Sequence, residues 1–200
     1  MENPTYHEGM RELQDLRETR ALADRLEKVT MRAAFTEDDK AFIQRCRMFF
    51  LATADTHGQP DCSYKGGLPG FVRVLDDRTL AIPDYDGNGQ YRSWGNVRVN
   101  PQVGLLFVDF ETPKRLRVNG TAVVSQDDAL LAELPGAVFI VRLVAQRIFP
   151  NCPRYIHKMQ LVEESAYAPR PEYIPPVPAW KTFDAFKDAL PPRDRPPSKD

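Results

Sequence analysis

Between residues 8 and 29 the apolar positions Leu13, Leu16, Leu22, Leu26 and Val29, with Ala23 beside them, recur at mostly three- and four-residue steps among charges. That spacing predicts an amphipathic helix laid over the domain or over a partner subunit. A second helix is predicted from Thr36 to about residue 47, with the Thr36 hydroxyl as its cap and Asp39, three residues on, as the acid of a capping box. At residue 48 the helical period gives way to a nearly continuous apolar run over 48–54. The turn residues Asp55-Thr56-His57-Gly58-Gln59-Pro60 follow, which predicts a hairpin. Further short strands are predicted over 61–65, 71–75, 79–83, 103–110, 115–124 and 137–149. Their spacing favours an antiparallel barrel or sandwich over repeated βαβ units. Two helices interrupt them. One covers about 91–99 and ends before Asn100-Pro101; the other covers about 126–133, with Ser125 as its N-cap and Pro135-Gly136 closing it.

Beyond Ala168 the chain holds nine of its 18 prolines and an aromatic island of Trp180, Phe183 and Phe186. This predicts an extended Pro-rich arm that wraps a neighbour or hangs loose. The expected organisation is therefore a helical extension over 1–34, a mainly β domain with flanking helices over 35–167, and the arm over 168–200. At 200 residues the chain is long enough for one real core.

Charge and composition remove several function classes. A formal net charge of -1, from 27 basic and 28 acidic residues, gives no electrostatic footprint for nucleic acid or an anionic membrane. No apolar run approaches the length of about 20 residues that spans a bilayer, and Met1-Glu2-Asn3-Pro4 does not open a signal peptide, so a cytoplasmic protein is expected. Cys46, Cys62 and Cys152 are odd in number and widely spread, which argues against a disulfide framework. His7, His57 and His157 show no metal-ligand spacing, and no metal site is expected.

The stretch Pro83-Asp84-Tyr85-Asp86-Gly87-Asn88-Gly89-Gln90-Tyr91-Arg92-Ser93-Trp94-Gly95-Asn96 carries the strongest chemical signal. A strand that stops in a glycine- and amide-rich loop and restarts as a helix turns backbone N–H groups and a helix N-terminus towards one spot. Arg92 and Ser93 in the first turn would add a guanidinium fork and a hydroxyl, which suits a phosphate. The same pattern also describes a solvated Gly-Asn turn with an ordinary surface arginine. No Walker loop, G-x-G-x-x-G turn or G-x-S-x-G elbow is present, so hydrolase chemistry has no support. Basic and polar side chains cluster again at Ser63-Tyr64-Lys65 and Lys114-Arg115-Leu116-Arg117. The collection fits a ligand with a phosphate at one end and a flat, hydrogen-bonding aromatic body.

The segments Phe50-Leu51-Ala52-Thr53-Ala54-Asp55, Cys62-Ser63-Tyr64-Lys65-Gly66-Gly67, Pro69-Gly70-Phe71-Val72-Arg73, Asn100-Pro101-Gln102-Val103-Gly104-Leu105-Leu106-Phe107 and Arg115-Leu116-Arg117-Val118-Asn119-Gly120 resemble the pyridoxamine 5'-phosphate oxidase-like family of FMN-binding split barrels. More narrowly, the Asp-Gly-Asn-Gly loop and Asn151-Cys152-Pro153-Arg154-Tyr155 are similar to a bacterial subgroup of FMN-dependent proteins of unassigned reaction. The resemblance implies an antiparallel split β-barrel over 35–167 and a homodimer with FMN at the subunit interface. It implies a phosphate grip by Arg92 and Ser93 with Asn88 and Asn96 nearby, main-chain contacts to the flavin from Phe71 and Val72, and a cofactor contact from Arg115. The chain departs from the typical oxidase in having Tyr91-Arg92-Ser93 where a Ser-Arg-Lys run is usual, and it lacks that enzyme's C-terminal substrate pattern.

A flavin that accepts a hydride gathers negative charge near N1 and the C2 carbonyl, and a nearby cation stabilises it. Lys65 is the first candidate and Arg115 the second; the alternative for Lys65 is a strand-edge lysine that discourages aggregation. Tyr64 and Tyr155 either rim the ring or serve as core or interface aromatics. Cys62 and Cys152 read as buried small hydrophobes rather than redox thiols, and His157 as a helix-face histidine or a proton donor near the flavin. The expected function is an FMN-dependent oxidoreductase acting on a small organic molecule. A flavin-binding sensor or carrier without turnover, or a relative that binds haem or the deazaflavin F420, stays open beside it.

Overall fold

The computed structural model describes residues 5–195. Seven antiparallel strands, β1 Met48–Ala54, β2 Pro60–Gly66, β3 Arg73–Val74, β4 Thr79–Tyr85, β5 Gln102–Asp109, β6 Lys114–Ser125 and β7 Ala137–Pro150, form one sheet in the order β2-β1-β5-β6-β7-β4-β3. The fold is a split β-barrel with flanking helices and a Pro-rich arm. Its hairpins follow from local chemistry. At the β1–β2 turn the Asp55 carboxylate accepts the N–H groups of His57 and Gln59, which closes the loop and sets the pairing of Met48 with Gly66 and Ala54 with Pro60.

Among the described residues the α-helices are α1 Glu8–Leu16, α2 Arg20–Thr30, α3 Glu37–Arg45 and α4 Arg92–Val99. α3 begins as its sequence requires: the Thr36 hydroxyl accepts the Asp39 N–H, and the Asp39 carboxylate accepts the Thr36 N–H. Arg32 Nη2 also donates to both Asp39 carboxylate oxygens, at 2.9 and 2.8 Å. Phe42 and Ile43 on α3 reach the main core with Phe49, Leu51, Leu80 and Phe107. α4 packs against β1, β2 and β6, which brings the loop before it onto one end of the sheet.

Several predicted elements differ in the structure. The helix expected over 8–29 is two helices, because Glu18 takes a left-handed φ of 53° and the Arg20 guanidinium grips Asp15 back across the break. Neither helix buries a residue, and Leu13, Leu16, Leu22, Leu26 and Val29 stay exposed within one chain. The helix expected over 126–133 is a short 3-10 turn, Ala129–Ala132, capped by Asp128 rather than Ser125 because the Asp128 carboxylate accepts the Leu130 N–H and also holds Arg142. The strand expected over 71–75 shrinks to two residues, since Phe71 and Val72 turn into the core. The arm folds back on its own chain, with Ala168 and Leu190 buried and Lys181 bonded to Asp86 at 2.7 Å and Asp194 at 3.0 Å. No helix among the described residues is long and apolar enough to cross a membrane.

Candidate cofactor site

The site is built where β2, the end of β4 and the start of α4 meet. Side chains alternate across a strand, so Asp61, Ser63 and Lys65 lie on the half-buried face of β2 while Cys62 and Tyr64 lie on the exposed one. From β4 come Asp84, which is buried, and Tyr85. The loop then carries Asn88, whose side chain accepts the Gln90 N–H, and Gly89 in a left-handed conformation. Tyr91, also left-handed, turns the chain into α4, so that Arg92, Ser93 and Trp94 arrive in its first turn. Together these residues line a cavity of about 280 Å³.

Hydrogen bonds knit the cavity wall into a chain. The Ser63 and Ser93 hydroxyls are 3.0 Å apart, Ser93 donates to one oxygen of Asp61 at 2.8 Å, and Arg92 Nε donates to the other at 3.2 Å. Deeper in, Trp94 Nε1 donates to Asp84 at 2.5 Å, and Lys65 Nζ sits 4.6 Å from the centre of the Trp94 ring. Burial pushes the Lys65 ammonium below its ordinary range, against the attraction of Asp84 and Asp61. Burial likewise pushes the Asp84 carboxyl up, opposed by the Trp94 hydrogen bond and by Lys65. Two cations and two carboxylates thus share the cavity, with hydroxyl and amide groups between them.

Of the residues singled out in the sequence, Ser63, Lys65, Asn88, Arg92 and Ser93 meet here. Asn96, one turn further along α4, spends its amide on the Thr53 hydroxyl. Phe71 and Val72 are buried in the core. Tyr64 lies on the opposite face of β2, edge-on to Phe50. The pairings Tyr64–Phe50, Phe50–Leu106, Leu106–Arg117 and Arg117–Phe149 put Tyr64 and Arg117 in one row across that outer face. Arg115 donates to the Cys152 carbonyl at 2.8 Å and Arg117 to the Asn151 side chain, so both arginines hold the 151–155 loop, where Tyr155 is 89% exposed.

The thiols differ from expectation, because Cys62 and Cys152 are both exposed while Cys46 is buried, and burial raises Cys46 to about 12. His157 lies in irregular chain rather than on a helix. The Gly66-Gly67 pair makes room for the protein's own rings: a Cβ at Gly66 would meet Tyr64 at 2.7 Å and one at Gly67 would meet Phe71 at 2.6 Å. Asp61, Asp84, Tyr85 and Trp94 were missed in the sequence. Asp61 was nonetheless signalled by its two-residue spacing from Ser63 on one strand, which puts the two on the same face.

The sequence profile described as pyridoxamine 5'-phosphate oxidase matches residues 35–163, and the chain belongs to the pyridoxamine 5'-phosphate oxidase-like split-barrel family. Among solved structures it is similar to HupZ of Group A Streptococcus, with 23% identity and a TM-score of 0.48 over 63% of this chain and 99% of that one. It is also similar to an FMN-binding protein of Syntrophomonas wolfei, with 12% identity and a TM-score of 0.42 over 70% of this chain and 97% of that one. HutZ, a haem storage protein of Vibrio cholerae, gives 21% identity and a TM-score of 0.40 over 55% of this chain and 87% of that one. No curated protein matches the chain.

Proposed function

We propose that this chain is an FMN-binding flavoprotein that works as a homodimeric, FMN-dependent oxidoreductase on a small organic molecule in the cytoplasm. The observation that carries this reading is the convergence of Ser63, Ser93 and Arg92 at the first turn of α4, in one cavity with Lys65. A helix N-terminus offers unpaired N–H groups to an anion, the exposed guanidinium adds a bidentate donor, and the hydroxyls add two more. That donor set fits a phosphate monoester. Lys65 fits the other end of such a ligand, because its ammonium rests on an indole face and keeps its charge available for a ligand.

When bound, FMN would supply reversible hydride acceptance in its ring. The chain's own part is to hold the phosphate end at Ser63, Arg92 and Ser93, to offer Asn88 and Gln90 from the loop, and to keep a cation where negative charge develops. A cavity of about 280 Å³ lies just below the usual range of roughly 300–1,000 Å³ for small-molecule sites. A second subunit completing the site is therefore part of the reading. The half-exposed row from Tyr64 to Arg117 and the uncovered leucines of α1 and α2 support such pairing. The three free cysteines support a reducing compartment.

The test is the visible spectrum of the purified protein, with the mass of any cofactor released by heat. Flavin absorption bands and the mass of FMN are expected; a Soret band, or the mass of the deazaflavin F420, would overturn the cofactor assignment. Reduced protein that no organic acceptor reoxidises faster than oxygen does would remove the oxidoreductase part and leave a flavin carrier.

A further inference from the structure

The groups that would grip a phosphate are already engaged by a carboxylate of the chain itself. Asp61 accepts the Ser93 hydroxyl on one oxygen and the Arg92 guanidinium on the other, and Ser93 in turn meets Ser63. The Asp61 side chain is 15% exposed, whereas that of Arg92 is 69% exposed. Asp61 is thus largely enclosed on β2, while the arginine lies open to solvent. A terminal phosphate entering the cradle has to take Ser93 and Arg92 from Asp61, and it then lies beside a carboxylate that stays behind. Two like charges at hydrogen-bonding range repel strongly at a partly buried site. Lys65 and Asp84, the other charges of the cavity, add one cation and one acid and leave this balance unchanged.

We propose that Asp61 is a specificity-determining residue that acts as a built-in competitor for the ligand's phosphate. It weakens the cradle's grip on FMN and makes the flavin exchangeable in the folded protein. The proposal rests on the FMN reading above and deepens it. Riboflavin carries the same ring and chain without the phosphate, so it reports everything about the site except this competition.

The experiment is a titration of the full-length apo-protein and of Asp61→Asn with FMN and with riboflavin, together with the FMN dissociation rate. Asparagine keeps an acceptor for Ser93 and removes the charge. FMN is expected to bind Asp61→Asn at least about tenfold more tightly and to leave correspondingly more slowly. Riboflavin affinity should stay within about twofold, and the gain in FMN affinity should shrink as salt rises. Asp61→Glu, which keeps the charge, should behave as the parent. Unchanged FMN affinity in Asp61→Asn, with FMN still bound by both proteins, overturns the proposal and leaves the FMN reading standing. Equal losses for FMN and riboflavin make Asp61 a structural bracket for α4 and also overturn it. Thermal melts of the apo-proteins guard against misfolding; if Asp61→Asn melts early, Asp61→Ser carries the same titration. Binding of neither flavin to any folded variant overturns the FMN reading and this proposal together.

Discussion

On the proposed FMN reading, Arg92 and Lys65 act at separate ends of the ligand, and each can be removed alone. Replacing Arg92 with alanine takes a charge-assisted fork from the phosphate end, a loss of about 1.5–3 kcal/mol in FMN binding. Its ion pair with Asp61 is exposed on the arginine side, so thermal stability should barely change. Titration of Arg92→Ala with FMN and riboflavin checks this; an equal loss for both ligands would contradict the phosphate assignment. For Lys65→Met the expected outcome is a lower flavin reduction potential with FMN still bound, and a shift of about 30 mV corresponds to roughly 1.4 kcal/mol. Dye-coupled titration reads it, and an unchanged potential would contradict the role given to Lys65, since Arg115 holds the Cys152 carbonyl, away from this cavity. The same variant has a signature without flavin. Burial lowers Lys65 from its ordinary 10.5, so the folded chain sheds that proton at a lower pH than the unfolded chain does. Stability gains from this group as pH climbs towards 10.5, and melts of apo Lys65→Met against pH should lack that rise. The convergence of Arg92 and Ser93 was legible in the sequence because a glycine loop before a helix turns the helix start towards one spot, and Lys65 was legible as a basic strand residue before a glycine pair. Asp61 was legible only as a neighbour of Ser63 on one face of β2, because which face packs on α4 is set by the tertiary fold.

α3 is the element whose start the sequence states most fully, and its cap is a clean place to test the local account. Thr36→Ala removes the hydroxyl that accepts the Asp39 N–H, at an expected cost of about 1 kcal/mol, read as a lower midpoint in urea with an unchanged slope. A cost near zero would mean that the Arg32–Asp39 contact alone holds the helix start. The strands and hairpins were legible for a similar reason, since turn residues and alternation act over a few positions. The break between α1 and α2 was not, because it depends on Glu18 adopting a left-handed backbone that its side chain does not announce. The cap of the 129–132 turn was misjudged because Ser125 and Asp128 are both good caps, and the contact of Asp128 with Arg142 on β7 decides between them.

At the scale of the whole molecule, two surfaces stay at least partly exposed among the described residues. One is the outer sheet face bearing Tyr64 and Arg117; the other is the leucine stripe of α1 and α2. The arm, by contrast, is committed to its own chain through Lys181 and Asp86, next to the loop that lines the candidate site. Its proline content told of an extended path, and the ion contacts of buried Lys181 that dock it could not be read from composition. A ligand bridging two subunits stabilises both the pairing and the fold by mass action. The most direct measurement of the central claim is native mass spectrometry of the purified protein supplied with FMN. The expected result is an assembly of two chains carrying two FMN molecules, whereas a folded chain that retains no FMN, or a monomer that holds it as tightly, would contradict the shared flavin site.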